Sequence, residues 1–399
     1  MPTPAGYPAS LSETTVANPV RTRRRLRPSS SFWALLPALL LLALIVPLPL
    51  GIPRGPVQIQ VSSADSVQVV AGARYHAGAV HRFLLGSHYR ELWTTPITVP
   101  VLRLGRYEGG LVPEREGGGL QTRSLHLRSR TGRQFVFRST DKVLQLLPPL
   151  LYSSTLGWMI QDGISASHPG GPLVAFALHA SIGIPSHPPD LVVMADSGLG
   201  EFRDRFAGLL GTIQEQIGDS TSRHSTEELL AALDSNTRHR VDATGFLAAR
   251  LLDFVLNDWD RHPGQWRWLT EAGNLETVWR PVPVDRDQAF SWYDGLVMDV
   301  LRMATTKLVK FEPEFPPVSG LTRSSRQLDR RFLGSVTREQ WDSVTRFVQR
   351  QLTDSVLDHA VQRLPSPWFT LSGAQLIETL RQRRDGLGGI SSRFYEVLH

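Results

Sequence analysis

The chain has 399 residues, 41% hydrophobic and 20% charged, a globular composition with room for one large domain or two ordinary ones. It contains no cysteine, which excludes disulfides, thiolate nucleophiles, Cys–zinc sites and a lipid-modified cysteine. The net charge of +6 is concentrated at the start: Arg21, Arg23, Arg24, Arg25 and Arg27 against Glu13 put +4 into residues 1–31, leaving +2 for the other 368. No strongly basic domain is left to track a phosphate backbone, so nucleic acid is not expected as a partner.

In chain order, residues 1–31 are rich in Pro, Ser, Thr and Arg and read as a disordered basic cytoplasmic tail. Residues 32–50 (FWALLPALLLLALIVPLPL) form an uncharged run long enough to cross a bilayer core. With the Arg cluster marking the cytoplasmic side, this is a transmembrane signal anchor and membrane partner. It makes the protein single-pass, with its main domain outside the cytoplasm in a bacterial cell envelope. A cleaved signal peptide is the competing reading, although the following Pro-Leu-Pro-Leu-Gly-Ile-Pro offers no small-x-small cleavage site.

Alternation in Val57–Val61 and Val67–Val70 predicts short strands, followed by the polar-aromatic run His81–Trp93. Glu116–Leu125, containing Gly117, Gly118 and Gly119, is a glycine-rich loop opening a strand. Leu125–Ser129 and Gln134–Arg138 are strands joined by the hairpin turn Arg130–Arg133. Pro172–Gly183 and Leu199–Ile217 read as helical, with a strand at Asp190–Met194 between them. Thr226–Leu233 and Ala243–Asn257 are amphipathic helices, Trp279–Val284 is an apolar strand, and Arg338–His399 is helical with breaks at Leu364–Pro367 and Gly386–Gly389. The result is an α+β chain: a β-rich N-lobe over residues 51–195, then a mainly helical C-lobe over 196–399, with a cleft between them.

Two acidic clusters follow apolar runs and suggest carboxylates held at one end of a pocket. They are Asn257–Gln265 (NDWDRHPGQ) and, twenty residues on, Asp285–Phe290 (DRDQAF). Each signal has a bland counterpart. The glycines make a plain turn, and Asp258 and Asp260 cap a helix or form surface ion pairs. His262 packs buried under the loop, with Arg261 positioning the loop carboxylates. Trp266 and Trp268 form one face of a core strand. Asp287 is either a metal ligand or a salt-bridge partner. The only lysines are Lys142, Lys307 and Lys310, the last two expected on a solvated face.

The loop and the motif order resemble the protein-kinase-like fold, in particular its atypical branches: secretory-pathway kinases, spore-coat CotH kinases and HipA-like kinases. These carry an Asp-Arg-His catalytic loop, here Asp260-Arg261-His262. The chain also resembles a group of uncharacterised exported bacterial proteins with an RSxDK strand and a DWDRHxxQW loop. The resemblance covers about residues 70–350 and implies a two-lobe fold and a kinase-like transferase using ATP with Mg²⁺ or Mn²⁺. It implies that Asp260 orients the acceptor nucleophile and takes its proton. Asp285 and Gln265 would hold the metal, with Asp287 a further ligand, and Gly117, Gly118 and Gly119 would cover the phosphates. Arg138 stands where the strand lysine is usual; Lys142, taken to be on the same strand face, is the other phosphate-binding candidate. Departures are Arg138 for Lys, Gln265 for Asn, and no helix glutamate, with only Asp162 and His168 nearby. Three readings follow. The first is a membrane-anchored phosphotransferase acting on an unknown acceptor, in a compartment poor in ATP. The second is a metal-dependent phosphoester hydrolase built on Asp258, Asp260, His262, Asp285 and Asp287. The third is an inactive, pseudokinase-type binding module.

Overall fold

Alternating apolar residues in Ser66–Val69 (β1) and Ile97–Leu102 (β2) pair antiparallel and start a seven-stranded sheet in the order β1-β2-β6-β7-β5-β4-β3. The computed structural model describes residues 56–61, 63–118, 122–143, 154–218, 222–273, 276–302 and 308–399. The predicted tail, the 32–50 anchor, Gly119 and Lys307 lie outside them. No helix among the described residues is long and apolar enough to cross a membrane.

Between β1 and β2 come two short helices, Ala79–Leu85 (α1) and Arg90–Thr94 (α2). Leu111–Gly117 (β3), Ser124–Ser129 (β4) and Gln134–Ser139 (β5) form an antiparallel meander, the last two joined by the expected hairpin. Thr155–Asp162 (α3) and Gly171–Ala177 (α4) lead to Asp190–Met194 (β6), a strand with the predicted limits. Two expectations are corrected here. Residues 57–61 form no strand, although Ile59 N–H donates to Gly208 O at 3.1 Å. The helix expected over 199–217 is only the turn Arg203–Phe206 (α5). The chain then reverses at Gly208, whose φ of +71° suits glycine, and enters Leu210–Glu215 (β7). This strand pairs with β5 and β6 inside the sheet, so the β-rich lobe continues past residue 195.

The second part starts with Arg223–His224 (β8), Thr226–Ser235 (α6), His239–Val241 (β9) and Ala243–Leu256 (α7). A capping box between Ser225 and Glu228 starts α6, and the Asp242 carboxylate caps α7. Trp266–Ala272 (β10) and Thr277–Pro283 (β11) complete a four-stranded sheet in the order β8-β10-β11-β9. Trp266 and Trp268 are fully buried and pack against Phe246 of α7, as the period-two pattern required. The intervening Arg267 faces the opposite side.

The remainder is helical: Leu296–Arg302 (α8), Val318–Thr322 (α9), Arg326–Leu333 (α10), Arg338–Gln351 (α11), Asp354–Val361 (α12) and Ser366–Leu398 (α13). The predicted break at Leu364–Pro367 separates α12 from α13, but the one at Gly386–Gly389 does not occur. There Leu387 and Ile390 bury against the core and hold α13 continuous through three glycines. The fold is therefore α+β, a sheet lobe followed by a mainly helical lobe.

Candidate functional site

α7 is apolar on nearly every side, so its C-terminus ends inside the protein and its last four carbonyls need partners there. All four have one. Asp253 O accepts from Asp258 N–H at 2.8 Å, and Phe254 O from Asn257 N–H at 3.1 Å. Phe254 O and Val255 O accept from the Arg383 guanidinium of α13 at 2.7 and 3.0 Å. Leu256 O accepts from Phe290 N–H at 2.8 Å. Asn257 and Phe290 both take positive φ, 57° and 63°. The two acidic motifs, far apart in sequence, are thereby tied to one helix end.

Below the loops lies a buried charge network that sequence reading did not find. Asp253 on α7 contacts Arg250 at 2.5 Å, Arg261 at 3.5 Å and Arg286; Asp258 contacts Arg286 at 2.9 Å and Arg261 at 3.7 Å. Arg250 also binds Asp329 at 2.9 Å, so three arginines face three aspartates, all essentially without solvent exposure. Arg250 and Asp253 inside the otherwise apolar Ala249-Arg-Leu-Leu-Asp253 stretch were the available signal, since a buried charge must be paired. Asp258 is thus committed to Arg286 and Arg261 and is no surface group. Burial pushes its carboxyl up to about 6, against the pull of Arg261 and Arg286.

Arg261 ties this network to the site. Its Nη1 donates to Asp285 O at 2.6 Å and its Nη2 to Gln265 O at 3.0 Å, while the guanidinium lies 4.6 Å from the Trp266 ring centre. It is a positioning residue, fixing the backbone at both predicted metal ligands. His262 departs from expectation: it is exposed, and its Nδ1 accepts from Gly264 N–H at 3.1 Å, closing the turn before β10.

A cleft of about 640 Å³ separates the large sheet from the ends of β10 and β11. Gly117, Gly118, Arg138, Asp260, His262, Gln265, Asp285 and Asp287 all line it. Gly118 has φ +112°, and a Cβ there would fall 2.3 Å from Thr122 O, so only glycine closes this loop. Asp285 and Asp287 also face an adjoining pocket of about 50 Å³ shared with Arg138 and Lys142.

Lys142, rather than Arg138, contacts the carboxylates. β5 ends at Ser139, so Lys142 is not on its face, as expected from sequence, but reaches in from the loop beyond. Its Nζ pairs with Asp287 Oδ2. Burial opposes its charge, yet Asp287, Asp285 and Asp260 outweigh this and raise its pKa. The loop is fixed by Asp141, which accepts from Arg74 at 2.6 Å and Tyr75 Oη at 2.7 Å. Lys142 O accepts from Arg74 at 2.7 Å and Gln161 at 2.9 Å. Among the described residues Arg138 has only Gln214 Oε1, at 3.4 Å, as a side-chain partner. Asp162 is not free to act as the missing helix acid, because Arg90 grips it bidentately at 2.8 and 2.6 Å and His81 Nε2 lies at 3.1 Å.

A divalent cation fits this end of the cleft. Burial and then the neighbouring Asp287 charge raise the Asp285 pKa, against the pull of Lys142, Arg138 and Arg261. Two carboxylates and the Gln265 amide oxygen are hard oxygen donors of the kind Mg²⁺ and Mn²⁺ take. Among the described residues no three His, Asp or Glu side chains are grouped to share one ion. The five-residue carboxylate–histidine cluster is not assembled: Asp258 lies in the arginine network and His262 closes its own turn.

Neither a protein-family model nor a curated protein sequence matches this chain. Seventeen solved chains match in structure. One is the Helicobacter pylori proinflammatory kinase CtkA, with 11% identity and a TM-score of 0.39, over 71% of this chain and 96% of that one. The Shewanella oneidensis HipA, from its complex with HipB and operator DNA, gives 12% and 0.36 over 86% and 76%. The Chaetomium thermophilum Rio2 kinase gives 13% and 0.32 over 69% and 72%. Identities and TM-scores this low leave the chemistry to the chain's own residues.

Proposed function

We propose that the chain is a kinase-like phosphotransferase that uses a divalent-metal nucleotide, with ATP as the donor, to phosphorylate an acceptor hydroxyl. The observation that carries this reading is the convergence on one cleft of a glycine loop, a buried lysine and two acidic loops. Asp285, Asp287 and the Gln265 amide would hold Mg²⁺ or Mn²⁺, which when bound would neutralise charge on the phosphates. Gly117 and Gly118 bring backbone close to the phosphates, and Lys142 and Arg138 supply positive charge beside them. Asp260, on the opposite wall, orients the acceptor hydroxyl and takes its proton. Arg261 keeps the two ligand loops in register.

The test is transfer of label from γ-labelled ATP with Mn²⁺, to the protein itself or to water. Asp260→Asn should lower transfer by about 10²-fold or more, because it removes the base while keeping size and shape. Equal rates in the variant and the parent chain would refute the assignment. The membrane anchor at 32–50 and an extracytoplasmic domain are part of the proposal, supported by the Arg run ahead of an uncharged stretch. A chain without cysteine allows a clean check. His399→Cys should react with an impermeant maleimide in intact spheroplasts; reaction only after lysis contradicts this topology.

A further inference from the structure

Between β3 and β10 the cleft carries positive charge that the metal end does not use. Arg115 and Arg267 line it on opposite sides, with His126 and Arg223 beside them. Neither Arg115 nor Arg267 forms an ion pair with a carboxylate among the described residues. Four of the nearby acids are engaged elsewhere, while Glu227 acts on Arg267 as a neighbouring charge. Glu114 and Glu116 flank Arg115 on β3 but pair with Arg128 and, at 2.5 Å, with Arg205. Glu215 binds Arg133 at 2.6 Å, and Glu228 accepts from Ser225 N–H at 2.6 Å.

Arg267 is held in place: its Nη1 donates to Trp266 O at 2.7 Å and Gly264 O at 3.2 Å, which fixes the guanidinium against the catalytic loop. Arg115 extends beside the glycine loop, its Nη1 3.5 Å from where a Cβ on Gly117 would be. The crowding of charge has consequences. Burial and then Arg115, Arg138 and Arg223 lower His126 to about 4, so it is neutral near pH 7. Burial lowers Arg267 as well, and Arg115 adds to this against the pull of Glu227 and Glu228. Like charges gathered this closely cost stability, and an anion joining them offsets that cost.

We propose that Arg115 and Arg267 form a second anion subsite, distinct from the metal end, that takes a phosphate or polyphosphate group of the ligand in the cleft. The inference rests on the phosphotransferase reading, since it places two anionic groups in one cleft. Such a group comes either from the far part of the phosphate donor or from an acceptor that is itself anionic. Planar guanidinium forks suit phosphate oxygens better than an uncharged ring.

The probe is inorganic tripolyphosphate, titrated calorimetrically into the full-length protein without metal. Arg115→Gln and Arg267→Gln should each weaken it roughly tenfold, the loss expected for one charge-assisted contact. Asp285→Asn should leave this binding in place while abolishing binding of ATP with Mn²⁺. Tripolyphosphate that binds alongside a saturating non-hydrolysable ATP analogue and Mn²⁺ assigns the subsite to the acceptor; displacement assigns it to the donor. No binding by the parent chain, or unchanged affinity in both arginine variants, overturns the subsite. If instead ATP with Mn²⁺ never binds while the arginine variants weaken tripolyphosphate, the subsite stands and the phosphotransferase reading fails.

Discussion

Asp258 and Asp260 are two residues apart and have opposite fates. Asp260 faces the cleft, whereas Asp258 is buried between Arg286 and Arg261 with its carboxyl pushed up to about 6. An unfolded aspartate titrates near about 3.9, so between roughly pH 4 and 6 the folded chain binds more protons than the unfolded one. The contribution of this group to stability therefore falls as pH rises through that window and is constant above it. Asp258→Asn keeps an oxygen for Arg286 and removes the slope. Urea unfolding should find the variant gaining on the parent chain, on the order of 1 kcal/mol, between pH 4.5 and pH 7.5. An unchanged difference contradicts the account of the buried pair. Sequence made Asp260, Asp285 and Gln265 visible through their spacing. It could not separate Asp258 from Asp260, because burial is decided by Asp253 and Arg286, which lie in other elements. Lys142 was legible as a scarce lysine, but its pairing with Asp287 depends on where β5 stops.

Helices α7 and α13 show the same division among elements. The apolar period of α7 was readable locally. What holds its far end was not, because Arg383 arrives from α13, 128 residues beyond Val255. That guanidinium also donates to Glu312 O at 2.7 Å and packs 4.3 Å from the Phe315 ring centre. Arg383→Leu would strand buried carbonyls at the start of the Asn257–Gln265 loop. It should cost about 3 kcal/mol of unfolding free energy or more, with the midpoint of urea denaturation as the readout. A loss under about 1 kcal/mol would show that the cap does not hold the helix end. Strand β7 was misread for a related reason. Its Leu210-Gly-Thr-Ile segment is short and apolar, and pairing on both edges with β5 and β6 outweighed any helical pattern. The three glycines of α13 suggested a break that burial of Leu387 and Ile390 prevents.

At the scale of the whole molecule, the order of motifs along the chain becomes an arrangement around one cleft. The glycine loop and β5 form one wall; the ends of α7, β10 and β11 form the other, and Lys142 and Asp287 bridge them. This two-part α+β order was legible from periodicity, while the seven-stranded sheet was not, since β6 and β7 join it from beyond two helices. The central claim is that this cleft binds a nucleotide through a metal held by Asp285. Thermal unfolding of the full-length protein in buffer, with Mn²⁺ alone, and with ATP plus Mn²⁺ tests it most directly. The account predicts a rise in midpoint that needs both ligands and is lost in Asp285→Asn. A shift with Mn²⁺ alone equal to that with both, or one that survives Asp285→Asn, would contradict it.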